Sequence, residues 1–133
     1  MTDTRVFSMQ SDPAACGRAR DVLVIDDSPT SLHVIGRRLG RMGYRTMLCE
    51  DGGGAIDLLH GRRFDLILID TLKSGLSGLA TLREIRRLVF AADTPVIMMT
   101  ARSDSAAAIE ALAQGADDHI AKPFDFAVLG ARI

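Results

Sequence analysis

Short apolar runs recur along the chain, and between them apolar residues return every three or four positions. The clearest run is FDLILID (64–70), which ends on a single carboxylate, Asp70. An apolar run of this length between polar segments reads as a strand buried on both faces, as in the middle of a parallel sheet. VLVID (22–26), PVIMMT (95–100) and DHIAKP (118–123) read as strands of the same sheet, and YRTMLCE (44–50) as another. After the first strand, which starts at residue 21, Ser28 is placed to cap a helix with Pro29 in its first turn. Leu32, Ile35, Leu39 and Met42 repeat there at helical spacing, with Arg37, Arg38 and Arg41 on other faces, and Gly43 ends the helix. Gly52 to Gly54 open a second helix through about His60, with Ala55, Leu58 and Leu59 inward. No Gly-Lys-Ser/Thr follows those glycines, so they read as a helix entry and not as a phosphate loop.

TLKSGLSG (71–78) is a turn-rich loop, and a third helix follows over about 79–89. Leu82, Ile85 and Val89 share one face of it, while Arg83, Glu84, Arg86 and Arg87 are expected to face water. SDSAAAIEALAQG (103–115) is an alanine-rich helix ended by Gly115, and Phe124 to Ile133 begins a last helix. That last helix has no cap or polar tail, which suggests a domain cut within it and an output domain missing from this chain. Strands alternating with helices in this way build an α/β fold, a right-handed doubly wound parallel sheet. Residues 1–20 are polar and small, contain Pro13 and Gly17, and show no period. They read as a flexible leader ahead of a single domain spanning 21–133.

Composition narrows the choice of partners. The 47% apolar and 25% charged residues are those of an ordinary globular domain. With a net charge of −1 and basic residues spread along the chain, direct binding to nucleic acid is not expected. No stretch has the apolar length of a membrane span, and the start lacks the apolar core of a signal peptide. Cys16 and Cys49 form no metal-ligand spacing, so they read as reduced thiols in a cytoplasmic protein.

Open α/β sheets place their ligand crevices at the carboxyl ends of their strands. Here those ends carry Asp26 and Asp27, Asp70, Thr100, and Lys122 followed by Pro123. Three acids, a hydroxyl and an ammonium at one sheet edge suit a divalent cation and a phosphoryl group. Singly, each has an ordinary alternative: Asp27 as a helix cap, Thr100 as a strand-end hydroxyl, Lys122 as a solvated lysine. Jointly, at one edge, they point to a site.

This ordered set, closing successive strands from Val22 to the end of the chain, resembles the receiver domain of response regulators in bacterial two-component systems. The resemblance implies a five-stranded flavodoxin-like (CheY-like) sheet in the order 2-1-3-4-5. It implies a phosphoacceptor at Asp70, taking a phosphoryl group from a sensor histidine kinase or a phosphotransfer protein. Mg²⁺ would be held by Asp27, Asp70 and the backbone carbonyl of Leu72, with Asp26 acting largely through water. Lys122 would offset charge on the phosphoryl oxygens, Lys122–Pro123 would be a cis peptide, and Thr100 would donate its hydroxyl and move inward on phosphorylation. His119, three residues before Lys122, takes the place of the family's second switch residue. A homodimer through the fourth helix, fifth strand and fifth helix is a further implication. The domain would promote only its own phosphorylation and dephosphorylation and would not be a turnover enzyme.

The chain departs from the family pattern at three places. Lys73 and Ser74 stand where the loop after Asp70 usually has an apolar residue and proline. Lys73 reads as solvated, and loss of the proline frees loop backbone. His119 replaces an aromatic residue, either as a plain substitution at an exposed edge or as a pH-sensitive group. Arg102 and Leu72 flank the expected path of the hydrolytic water and would set the lifetime of the phosphoryl group. His33 reads as an exposed helix histidine and Cys49 as a small buried apolar residue. Two other readings compete: a pseudo-receiver that signals without phosphate, and an aspartyl-phosphate phosphohydrolase. The latter normally pairs its nucleophile in an Asp-x-Asp motif on the first strand, where this chain has adjacent Asp26–Asp27.

Overall fold

The computed structural model describes residues 6–9, 20–70, 77–88, 93–101, 109–110, 112–113 and 115–122. Five strands form a parallel sheet: β2 (Asp21–Ile25), β3 (Arg45–Cys49), β4 (Leu66–Asp70), β5 (Val96–Ala101) and β6 (Asp118–Lys122). Their spatial order is β3-β2-β4-β5-β6, which in chain order among the parallel strands is the expected 2-1-3-4-5. A sixth strand, β1 (Val6–Met9), runs antiparallel along the outer edge of β3, with Val6 level with Cys49 and Met9 level with Thr46. Residues 6–9, read from the sequence as part of a flexible leader, thus form a strand, while 1–5 and 10–19 lie outside the described residues. The four residues VFSM are too few to establish a period, and their pairing rests on a free edge that only the folded sheet supplies.

Each central strand is buried on both faces, which is why its sequence is apolar throughout and does not alternate. On one face Val22, Val24, Leu66, Leu68, Ile97 and Met99 pack under Leu32, Ile35 and Leu39 of helix α1 (Pro29–Arg41). On the other face, Leu23, Ile25, Ile67, Ile69 and Met98 pack with Ala55 and Leu59 of α2 (Gly52–Leu59) and Leu82 and Ile85 of α3 (Gly78–Arg87). Ser28 accepts a bond from the Ser31 amide at 3.3 Å, with Pro29 in the first turn of α1. Two caps had no place in the sequence reading. Asp51 caps α2 through the Gly54 amide, and Ser77 caps α3 through the Ala80 amide. Met42, expected inward, is 40% exposed because it follows the last turn of α1, and Gly43 then reverses the chain with φ +98°.

Arg86 was expected to face water, and instead it ties α3 to the β5–β6 corner. Its guanidinium donates to the Thr94 carbonyl at 2.6 Å and to the Gly115 carbonyl at 3.0 Å, and pairs with Asp117 at 2.9 Å. The Asp117 side chain is 58% exposed, so the ion pair itself adds little. The carbonyls matter more, since truncating the arginine leaves them without these donors. Arg86→Ala is expected to lower unfolding free energy by about 1–2 kcal/mol, measured by urea titration followed by circular dichroism.

Candidate functional site

Strand register brings the strand ends together. Ile25 is level with Ile69, so Asp26 follows β2 beside Asp70, the last residue of β4. Asp70 is level with Met99, which puts Thr100 one step beyond it on β5. Thr100 is in turn level with Ala121, and Lys122 is the final residue of β6. The backbone therefore places all four strand-end positions along the carboxyl edge of the sheet. A one-residue shift would exchange the side chains packed under α1 with those packed on α2 and α3, so the fit of both layers holds the register.

Ligand atoms from Asp26, Asp27 and Asp70 lie within 4.8 Å of one another. Asp26 is fully buried, whereas Asp27 and Asp70 are half-buried. Two backbone contacts set Asp26: its amide donates to the Cys49 carbonyl at 3.0 Å, and its carboxylate accepts from the Ser28 amide at 2.9 Å. The second contact is an Asx turn, legible in the Asp-x-Ser spacing before the helix. The first carries no side-chain signature, because it depends on β2 and β3 lying in register. Cys49 is buried as expected, and its thiol donates to the Asp51 carbonyl at 3.1 Å.

Two carboxylates at this separation repel by about 3 kcal/mol at an effective dielectric constant of 20. A divalent cation placed among them converts that repulsion into attraction. The donor set is all oxygen and partly open to water, which fits Mg²⁺ or Ca²⁺ and not the softer metals that favour sulfur and imidazole. The residues present thus fit the cation that the sequence implied, and Asp26 joins the cluster with a carboxylate oxygen of its own.

Thr100 is 2% exposed beside this cluster. His119 is level with Met98 on the neighbouring strand and is half-buried, in contrast to the exposed edge expected for it. Its Nδ1 is enclosed and makes no hydrogen bond among the described residues. His33 is exposed on α1. Leu72, Lys73, Ser74, Arg102, Pro123 and the last helix lie outside the described residues, as does the alanine run 106–108.

Comparison with known proteins identifies the family and the fold. The family model described as response regulator receiver domain matches residues 22–133. The transcriptional regulatory protein ZraR of Escherichia coli is 40% identical over 106 residues, covering 80% of this chain and 24% of that protein. The match spans between 24% and 43% of the length of three such curated relatives. A putative response regulator from Chloroflexus aurantiacus superposes with a TM-score of 0.83 at 27% identity, covering 86% of this chain and 94% of that one. The receiver domain of a Pseudomonas aeruginosa sensor histidine kinase, with a magnesium ion coordinated in its active-site cleft, superposes at 0.78. It is 32% identical, covering 86% of this chain and 94% of that one.

Proposed function

The chain belongs to the response regulator receiver domain family, and from that premise we propose that it is a Mg²⁺-dependent phosphoacceptor modified on Asp70. The observation that carries this reading is the gathering of Asp26, Asp27 and Asp70 within 4.8 Å at the end of the central strand. A lone carboxylate at a strand end has several structural uses, but three that repel one another require compensation.

In the proposed reaction a carboxylate oxygen of Asp70 attacks the phosphorus of a phosphohistidine carried by a sensor kinase or phosphotransfer protein. The P–N bond breaks, a P–O bond forms, and the histidine nitrogen leaves with the electron pair and takes a proton. When bound, the cation neutralises charge on the carboxylates and the phosphoryl oxygens. Asp26, Asp27, Asp70 and the Leu72 carbonyl are assigned to hold it. Lys122 is assigned to offset the remaining charge on the phosphoryl group, and Thr100 to donate its hydroxyl to one oxygen. These are positioning and electrostatic contributions, which dominate phosphoryl transfer.

Receiver domains of this family are signalling modules and not turnover enzymes. We assign the output to a C-terminal domain or a separate partner that reads the state of Thr100 and His119, in a cytoplasmic setting. No helix among the described residues is long and apolar enough to cross a membrane. Ile109, 69% exposed, and Leu112 present apolar surface on the helical segment before β6, which supports pairing of two copies on that side.

The test is intact-mass analysis after incubation with a small phosphodonor such as acetyl phosphate, with Mg²⁺ and with EDTA. The expected result is a gain of one phosphoryl group only when Mg²⁺ is present. No adduct at any Mg²⁺ concentration, after acid trapping within seconds, sinks the phosphoacceptor reading and leaves a pseudo-receiver that works by binding alone.

A further inference from the structure

The metal-site carboxylate that is most buried is suspended from a strand that would otherwise lie at the edge of the sheet. Cys49, the last residue of β3, is level with Ile25 on its inner side and with Val6 on its outer side. Its carbonyl accepts the Asp26 amide at 3.0 Å, directly beyond Ile25. Without β1, strand β3 would be paired on one side only, and a strand held on one side frays at its ends. The end that frays would be the one holding Asp26. The next residues carry the same dependence onward, since the Cys49 thiol donates to the Asp51 carbonyl and Asp51 caps α2.

We propose that β1 is a positioning element of the metal site: by closing the outer edge of β3 it holds the Cys49 carbonyl in place, and through it the Asp26 carboxylate. The proposal rests on the Mg²⁺ reading above. The topology gives it a second feature. Met9 and Asp21 both lie at the opposite end of the sheet from the acids, level with Thr46 and Arg45. Met9 and Asp21 therefore lie two strands apart at that end, about 10 Å at the spacing of a sheet. The end of β1 nearest the acids is Val6, level with Cys49 across a backbone ladder.

The device is tested in the full chain by the double substitution Phe7→Pro/Ser8→Pro. Successive amides of an antiparallel strand point to opposite sides, so one of the two prolines removes a donor to β3 whichever way β1 faces. Isothermal titration with MgCl₂ is expected to give a Kd at least threefold higher than for the unmodified chain. Arg86→Ala, which weakens the fold far from the acids, is the comparator and is expected to leave that Kd within twofold. Coupling is reciprocal, so a second readout needs no variant. Saturating Mg²⁺ is expected to slow amide exchange at Val6–Met9 and at Leu48–Cys49 in the unmodified chain. An unchanged Kd in the proline variant, or a Kd that moves equally in Arg86→Ala, overturns the proposal. Should the proline variant fail to fold, exchange in β1 that is indifferent to Mg²⁺ overturns it instead. If the unmodified chain binds no Mg²⁺, the function proposed above fails and this inference falls with it. Normal Mg²⁺ binding without coupling to β1 removes only the inference.

Discussion

An Asp70→Asn chain is expected to take up no phosphoryl group under conditions that load the unmodified chain to near completion, a loss of more than a hundredfold by intact mass. Asparagine keeps the shape of the side chain at the end of β4, so the half-buried position and the surrounding ladder need not change. What it lacks is the anionic oxygen that attacks phosphorus, since the amide is neutral and its lone pairs are delocalised. Asp26 and Asp27 do not substitute readily. Asp26 is fully buried and already accepts from the Ser28 amide, and Asp27 lies one residue past it at the edge of the cleft. Phosphoryl transfer depends on near-attack geometry, where a displacement of about 1 Å costs about a hundredfold. The variant also removes one of three negative charges, so its Mg²⁺ affinity is expected to fall as well; loading is therefore compared at saturating Mg²⁺. An adduct retained at comparable yield would place the acceptor elsewhere, and peptide mapping would then locate it.

The second large effect concerns the scaffold. Leu68→Ala is expected to cost about 2–5 kcal/mol, read as a shift of the urea midpoint with unchanged slope. Leu68 is fully buried at the middle of the central strand, level with Val24 on β2 and Ile97 on β5. It packs in the layer beneath α1 with Leu32, Ile35 and Leu39. Neighbours fixed by two parallel ladders cannot move in to fill the space, so the cavity remains. Against a total stability of about 5–15 kcal/mol for a domain of this kind, that loss is a large fraction. A loss below 1 kcal/mol would show that the layer relaxes, and that β4 is less tightly held than its burial indicates. Because Asp70 ends the same strand, the variant is also expected to blunt Mg²⁺ binding at temperatures where the fold begins to open.

Most of the frame was legible because local rules and the global fold agree. The runs 22–25, 66–69 and 96–99 are apolar without alternation, which only a doubly covered strand explains. Ser28–Pro29 and Gly43 bracket α1 as written. The acids could be assigned to one edge before any coordinates, since a right-handed βαβ crossover brings successive strand ends to the same side. Other features escaped the reading for reasons that are equally physical. Arg86 looked like a solvated helix arginine because its partners, Thr94, Gly115 and Asp117, belong to two different connections. His119 looked exposed because it lies on the last strand of the sheet, at its edge, yet its Nδ1 is enclosed. Strand β1 was invisible because four residues carry almost no pattern and its ladder is made wholly of backbone groups.

From side-chain chemistry and spacing alone, the sequence determined a parallel α/β sheet with three carboxylates, a hydroxyl and a lysine at strand ends. Those features are local: burial demands apolar runs, and turn and cap residues mark where they stop. Tertiary structure alone decided how close Asp26, Asp27 and Asp70 come, and that Asp26 hangs from the Cys49 carbonyl. It also decided that Val6–Met9 closes the far side of that strand. These depend on register and on backbone hydrogen bonds between segments distant in the chain. A backbone carbonyl is the same in every residue, so its partner is chosen only when the strands are laid side by side.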